Sequence, residues 1–120
     1  MRTCFVLIML GLFVGALAGP VFAARVTVTG DVVSLSCYYQ DHKNIGKAGM
    51  LCANATVKYI GDPVGLVATD GTVYQLEGPI LGVNNEKAVP LLGHKVTITG
   101  ETRVKAHMPM LRASEAKILD

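Results

Sequence analysis

The stretch His94-Lys-Val-Thr-Ile-Thr-Gly-Glu-Thr-Arg-Val-Lys105 decides the fold class. Val96, Ile98, Gly100, Thr102 and Val104 fall on one side of an extended chain, and Lys95, Thr97, Thr99, Glu101, Arg103 and Lys105 on the other. A period of two with β-branched residues marks a strand with one buried and one wet face.

Working upstream, Thr72 to Glu77 predicts a strand with Tyr74 and Leu76 on one face, and Val64 to Thr69 predicts another. Asp70-Gly71 between them predicts a two-residue hairpin turn with both central residues at positive φ. Residues 84–92 suggest a short helix or turn, with Asn84 or Asn85 as cap and Pro90 limiting its length. Downstream, Leu111 to Leu119 reads as a weaker last strand.

Arg25 to Tyr39 reads as one long first strand. Val26 and Val28 share a face, and past Gly30-Asp31 the apolar set becomes Val33, Leu35 and Cys37. That slip predicts a bulge at the glycine, bending the strand as a small barrel requires. Residues 40–50 are polar and contain glycine, which predicts a loop. Gly49 to Ile60 predicts a short helix with Leu51, Ala55 and Tyr59 on one face, stopped by Gly61 and Pro63. The expected fold is all-β with short helices: a five-stranded OB-fold-like Greek-key barrel with a helical insertion after strand one.

The N-terminus carries Arg2, an apolar run from Phe5 to Val14, and small residues leading to Val21-Phe22-Ala23. This pattern is a secretory signal peptide over residues 1–23, cleaved after Ala23, with a cut after Ala18 as the alternative. The apolar run is short for an uncleaved bilayer span. The mature domain, 24–120, is then periplasmic or extracellular, and export leaves it with no membrane span. All three Phe residues and Cys4 leave with the leader, and the chain has no Trp. Ten basic residues then face nine acidic ones, a net charge of about +1. A near-neutral, aromatic-poor surface argues against nucleic acid as partner, even though OB-folds often bind it. The partner is left as an unknown protein or small ligand.

Two cysteines remain, Cys37 and Cys52. A pair in an oxidising compartment predicts a disulfide, contributing about 3 kcal/mol on an entropic account. The alternative is a copper or zinc site from Cys37, His42 and Cys52, or a copper site from His107, Met108 and Met110, since thiolate, imidazole and thioether suit those ions. The bland reading of Met108 and Met110 is a loop whose thioethers fill gaps in the core. No nucleophile elbow, phosphate loop or His–acid–nucleophile set can be placed, so no enzyme activity is expected. Tyr38, Tyr39, His42 and Tyr59 lie in or beside the long insertion and are the candidate ligand-binding residues.

Ser34-Leu-Ser-Cys-Tyr38, Cys52-Ala53, Gly61-Asp-Pro-Val-Gly-Leu66 and Asp70-Gly-Thr-Val-Tyr74 together resemble a group of small exported bacterial proteins with uncharacterised OB-like domains. Leu92-Gly-His-Lys-Val-Thr-Ile-Thr-Gly likewise resembles the fourth-strand signature of exported OB-fold proteins. The resemblance covers most of the mature chain. Gly49 stands where the group tends to have His, and Thr56 where it tends to have a further Cys. A metal site built on that full ligand set is therefore incomplete here, which favours a plain disulfide; the expected role, from the long insertion on a minimal barrel, is a binding or accessory module without a cofactor.

Overall fold

The computed structural model describes residues 24–120. The expected signal peptide lies outside the described residues. Five strands form the frame: β1 (Ala24–Ser34), β2 (Val64–Ala68), β3 (Val73–Glu77), β4 (Lys95–Lys105) and β5 (Met108–Ile118). They close in the order β1-β2-β3-β5-β4. All neighbours are antiparallel except β3 and β5, which run parallel. This is the expected all-β, OB-fold-like barrel. Closure gives each strand a neighbour on both sides over part of its length.

β1 closes it. Ala24 to Asp31 pair with β4, and Gly30 to Ser34 pair with β2. At Gly30 both partners meet the same residue, and a β-carbon there would collide with the Val67 carbonyl. Glycine is required because two backbones converge on it. The expected bulge is absent at this point: pairing runs unbroken through Gly30 and Asp31. Val26, Val28 and Val32 keep one face toward the core, and Val33 is buried on the other side of the strand. The barrel's irregularity lies between β4 and β5, where Thr99 pairs with Glu115 and Gly100 with Ala113, leaving Ser114 extra.

Leu66, Leu92, Val96, Ile98 and Leu111 fill the interior and are almost wholly shielded from solvent. Across the β1–β4 seam, Thr27 and Thr29 bring their hydroxyls within 3.3 Å of Thr99 and Thr97. The predicted inward face of β4 holds through Gly100. Beyond it Val104 is exposed, because the β4–β5 hairpin outruns the core.

Two turns differ from expectation. Of Asp70 and Gly71, only Gly71 has positive φ, at 91°. Asp70 instead accepts the Thr72 N–H at 2.9 Å, an Asx-type closure that leaves the left-handed step to glycine. That hydrogen bond also holds the Asp70 carboxyl below the usual carboxylate range. The β4–β5 connection is the tight one: Lys105 pairs with Met108, and Ala106 and His107 stand at φ 51° and 64°. The expected helix or turn before β4 is a run of 3-10 turns at Pro79–Leu81, Val83–Asn85 and Val89–Leu91.

The largest departure is at the end of strand one. The chain leaves the sheet at Ser34 and forms helix α1 (Leu35–Gln40). Ser34 caps it, accepting from the Cys37 N–H at 3.4 Å. The Asp41 N–H and the Asn44 side-chain amide close its other end on the Cys37 carbonyl, at 3.0 and 2.9 Å. Helix α2 (Gly46–Ala53) follows and runs into a π-helical turn, Asn54–Lys58.

Candidate functional site

The insertion, residues 35–63, is braced internally and against the barrel by three devices. The first is covalent. Cys37 of α1 is disulfide-bonded to Cys52 of α2, with 6.2 Å between their α-carbons. The bridge expected from sequence is therefore present, and it suits an oxidising exported location. Because each sulfur holds the other, the pair offers no thiolates to a metal.

The second device is packing by small residues. Gly49, Ala53 and Val57 are spaced four apart and form the buried row of the helix. Ala53 and Val57 enter the barrel core beside Val32, Ala88 and Leu92. A β-carbon at Gly49 would collide with the Asn44 backbone, so the loop before α2 presses directly on the helix. The stripe that shares one face, Leu51, Ala55 and Tyr59, points to solvent: Leu51 and Tyr59 are 86% and 76% exposed, and Ala55 is exposed too.

The third device is a hydroxyl chain. Ser34 is fully buried, and its Oγ lies 2.8 Å from Thr56 Oγ1 and 3.2 Å from Ser36 Oγ. Thr56 Oγ1 is also 3.0 Å from the Cys52 carbonyl and 3.5 Å from Cys37 Sγ. Ser36 donates to the Asp62 carboxylate. The chain links the end of β1, both helices and the approach to β2, and it gives buried Ser34 the partners a desolvated hydroxyl needs. Thr56 thus bonds the cap residue and the Cys52 carbonyl together. Sequence reasoning missed this network; its signal was a Ser able to cap a helix at the end of a hydrophobic strand.

The predicted site residues fall into separate places. Tyr38 and His42 stack, with ring centroids 4.4 Å apart and planes within 6°, and Tyr39 meets Tyr38 edge-on at 5.8 Å. These three form one aromatic cluster on α1 and its following loop. Tyr59 belongs elsewhere, in an open groove of about 590 Å³ between the end of the π-helical turn and the β3–β4 connection. Lys58, Ile60, Asn84 and Asn85 share that groove with it. The Lys58 ammonium sits 5.4 Å from the Tyr59 ring centroid. Asn85 anchors the far wall by donating its amide to the Asp62 carbonyl at 3.2 Å. Asn84 and Asn85 both hold left-handed backbone, at φ 53° and 60°, conformations that favour asparagine among non-glycine residues. Sequence reasoning read these asparagines as helix caps. Their adjacency after Gly82 was the only hint of a strained loop.

The proposed copper residues are spread along the β4–β5 hairpin. His107 occupies the turn, Met108 is half-buried at the first position of β5, and Met110 is buried in the strand. The methionines therefore belong to the strand, and the expected loop shrinks to the two turn residues. Among the described residues, no group of three or more His, Cys, Asp or Glu side chains is placed to hold a metal ion. His94 bonds Asp120 at 3.0 Å, and His42 lies on Tyr38. Among the described residues, no helix is long and apolar enough to cross a membrane.

On the barrel exterior, Arg103 grips Glu77 with two contacts of 2.7 Å. The Arg103 hydrogen bond holds the Glu77 carboxyl below the usual carboxylate range, against opposing desolvation. Compared with known proteins, the chain matches no family model, no curated protein and no solved structure.

Proposed function

We propose that this chain is an exported, non-enzymatic binding module that uses an OB-fold-like barrel to present a disulfide-braced insertion. The observation that carries this reading is the groove between the insertion and the β3–β4 connection. It is of ligand size, about 590 Å³, and has a largely solvent-exposed tyrosine on its wall. Exposed aromatic side chains supply contact area at small entropic cost, which is why they recur at binding surfaces. The insertion is also braced more heavily than a spacer between two strands requires. The hydroxyl chain holds Thr56 and Asp62, and the Asn85 amide ties Asp62 to the opposite wall, so the groove is formed before a ligand arrives.

Chemical-shift mapping of the oxidised protein against a panel of small polar fragments tests the reading. Binders are expected to perturb residues 57–61 and 78–85. Binders that map to the outer face of β2 and β3, or a panel with no binder at all, would contradict it. The compartment is tested by intact mass: the exported protein should begin at Ala24 and lack two hydrogens relative to free thiols.

A further inference from the structure

We propose that the groove takes a saccharide, and among saccharides favours one bearing a carboxylate. The inference rests on the binding-module reading and names its ligand class.

The chemistry comes from the groove's walls. Tyr59 is 76% exposed and offers a flat, weakly polar ring. Lys58 takes one face of that ring, at 5.4 Å, and a ring this exposed keeps its other face open to a ligand. The C–H-bearing face of a pyranose is the ligand surface that matches such a ring, because its axial hydrogens meet the negative π-face.

Opposite stand Asn84 and Asn85. A carboxamide offers a donor and an acceptor in one plane, which suits adjacent sugar hydroxyls. Asn85 spends one amide hydrogen on the Asp62 carbonyl, which fixes its orientation and leaves its oxygen available. Both asparagines hold left-handed backbone in a loop that positions them on the groove wall, a strain of the kind concentrated at ligand sites. Gly61 and Gly78 add backbone without side chains, so a ring can approach closely.

The other ligand classes fit less well. A lipid chain needs a continuous apolar tunnel, and this groove is open, its apolar side chains Val57, Ile60 and Leu81 interrupted by amides, glycines and an ammonium. A nucleotide needs its phosphate held by closely set cations, and Lys58 is the one cation lining the groove; Lys87 and Arg112 pack their stems on Gly82 and Gly78 without lining it. That single ammonium suits a single carboxylate, hence the preference for an acidic sugar.

The test is a titration of the oxidised protein, followed by amide chemical shifts, with three probes. They are N,N′-diacetylchitobiose, the disaccharide of N-acetylglucosamine and N-acetylmuramic acid, and thymidine monophosphate. Saturable shifts at residues 57–61 and 78–85 are expected with both saccharides, tighter for the carboxylated one. Tyr59→Ala should weaken both by about tenfold, as loss of a stacking platform does. Lys58→Gln should remove the preference for the acid, a change of roughly two- to fivefold. Asn84→Gly, which keeps the left-handed backbone, should weaken both. Because these side chains are surface groups, unchanged spectra elsewhere will verify the fold of each variant. Tighter binding of the nucleotide, saccharide shifts outside the groove, or no saccharide shift would overturn the proposal. If polar fragments perturb the groove while saccharides do not, the ligand class fails and the binding-module reading stands. If nothing perturbs the groove, both fail.

Discussion

The β4–β5 hairpin and the 35–63 insertion are built on opposite principles. The hairpin is held by a ladder of pairs from Val96–Ile118 to Lys105–Met108, with large apolar residues inside and charges outside. Within the insertion, α2 and the π-helical segment bury small residues (Gly49, Ala53, Val57) and expose large ones (Leu51, Tyr59, Ile60). The insertion is kept in place by a disulfide and a hydroxyl chain. A barrel can stand on hydrophobic burial alone. An element that turns its large apolar side chains to solvent needs crosslinks.

This difference predicts which changes are global and which are local. The largest effect should come from Leu66→Ala, which leaves a cavity at the centre of the barrel and should cost about 2–5 kcal/mol. Denaturant unfolding should show one transition at a lower midpoint, since β2 pairs with β1 and β3 alike. Next is Cys37→Ser with Cys52→Ser. Loss of the bridge should cost about 3 kcal/mol on the entropic account. Its distinguishing sign is early proteolysis within residues 40–60 while the strands remain protected. A drop as cooperative as that of Leu66→Ala would erase the proposed division.

Thr56→Val is subtler. It keeps the side-chain shape and removes the oxygen between Ser34 and the Cys52 carbonyl. Buried Ser34 then loses a partner, which should cost about 1–2 kcal/mol, measured by thermal melting with the disulfide intact.

The legibility of the two regions follows the same line. In β4 every second residue meets the same environment, so Val96, Ile98 and Gly100 announce their face through period and hydropathy together. In the insertion the buried row is chosen by backbone approach. Gly49 and Ala53 are inside because nothing larger fits. Hydropathy groups Leu51, Ala55 and Tyr59 on one face but does not say that this face is the exposed one. The end of strand one was hidden for a related reason. Val33, Leu35 and Cys37 alternate as a strand does, yet Leu35 and Cys37 are buried from a helix capped by Ser34. The disulfide was readable because it needs only residue type and compartment. Of the candidate site, Tyr59 was found through its place in the insertion. Lys58 and the asparagines were not, since their role depends on two distant segments meeting across the groove.

The smallest effect expected is on the barrel side, at Glu77 and Arg103. The Glu77 carboxyl is depressed in the folded state, so its contribution is present above the unfolded carboxylate value and is lost as pH falls through the folded one. Stability of the wild-type protein should therefore decline below about pH 4, and Glu77→Gln should flatten part of that decline. Salt should blunt the difference, because Arg103 is half-exposed. An acid profile unchanged by Glu77→Gln would show that the pair contributes nothing measurable.

The central claim is that the strands are held by their own pairing and packing, while the disulfide braces the insertion that forms the groove. Amide hydrogen exchange on the oxidised and the reduced protein measures this directly. Reduction should strip protection from residues 35–60 while amides of β1, β4 and β5 keep theirs. Equal loss across both regions, or no loss in the insertion, would contradict the account.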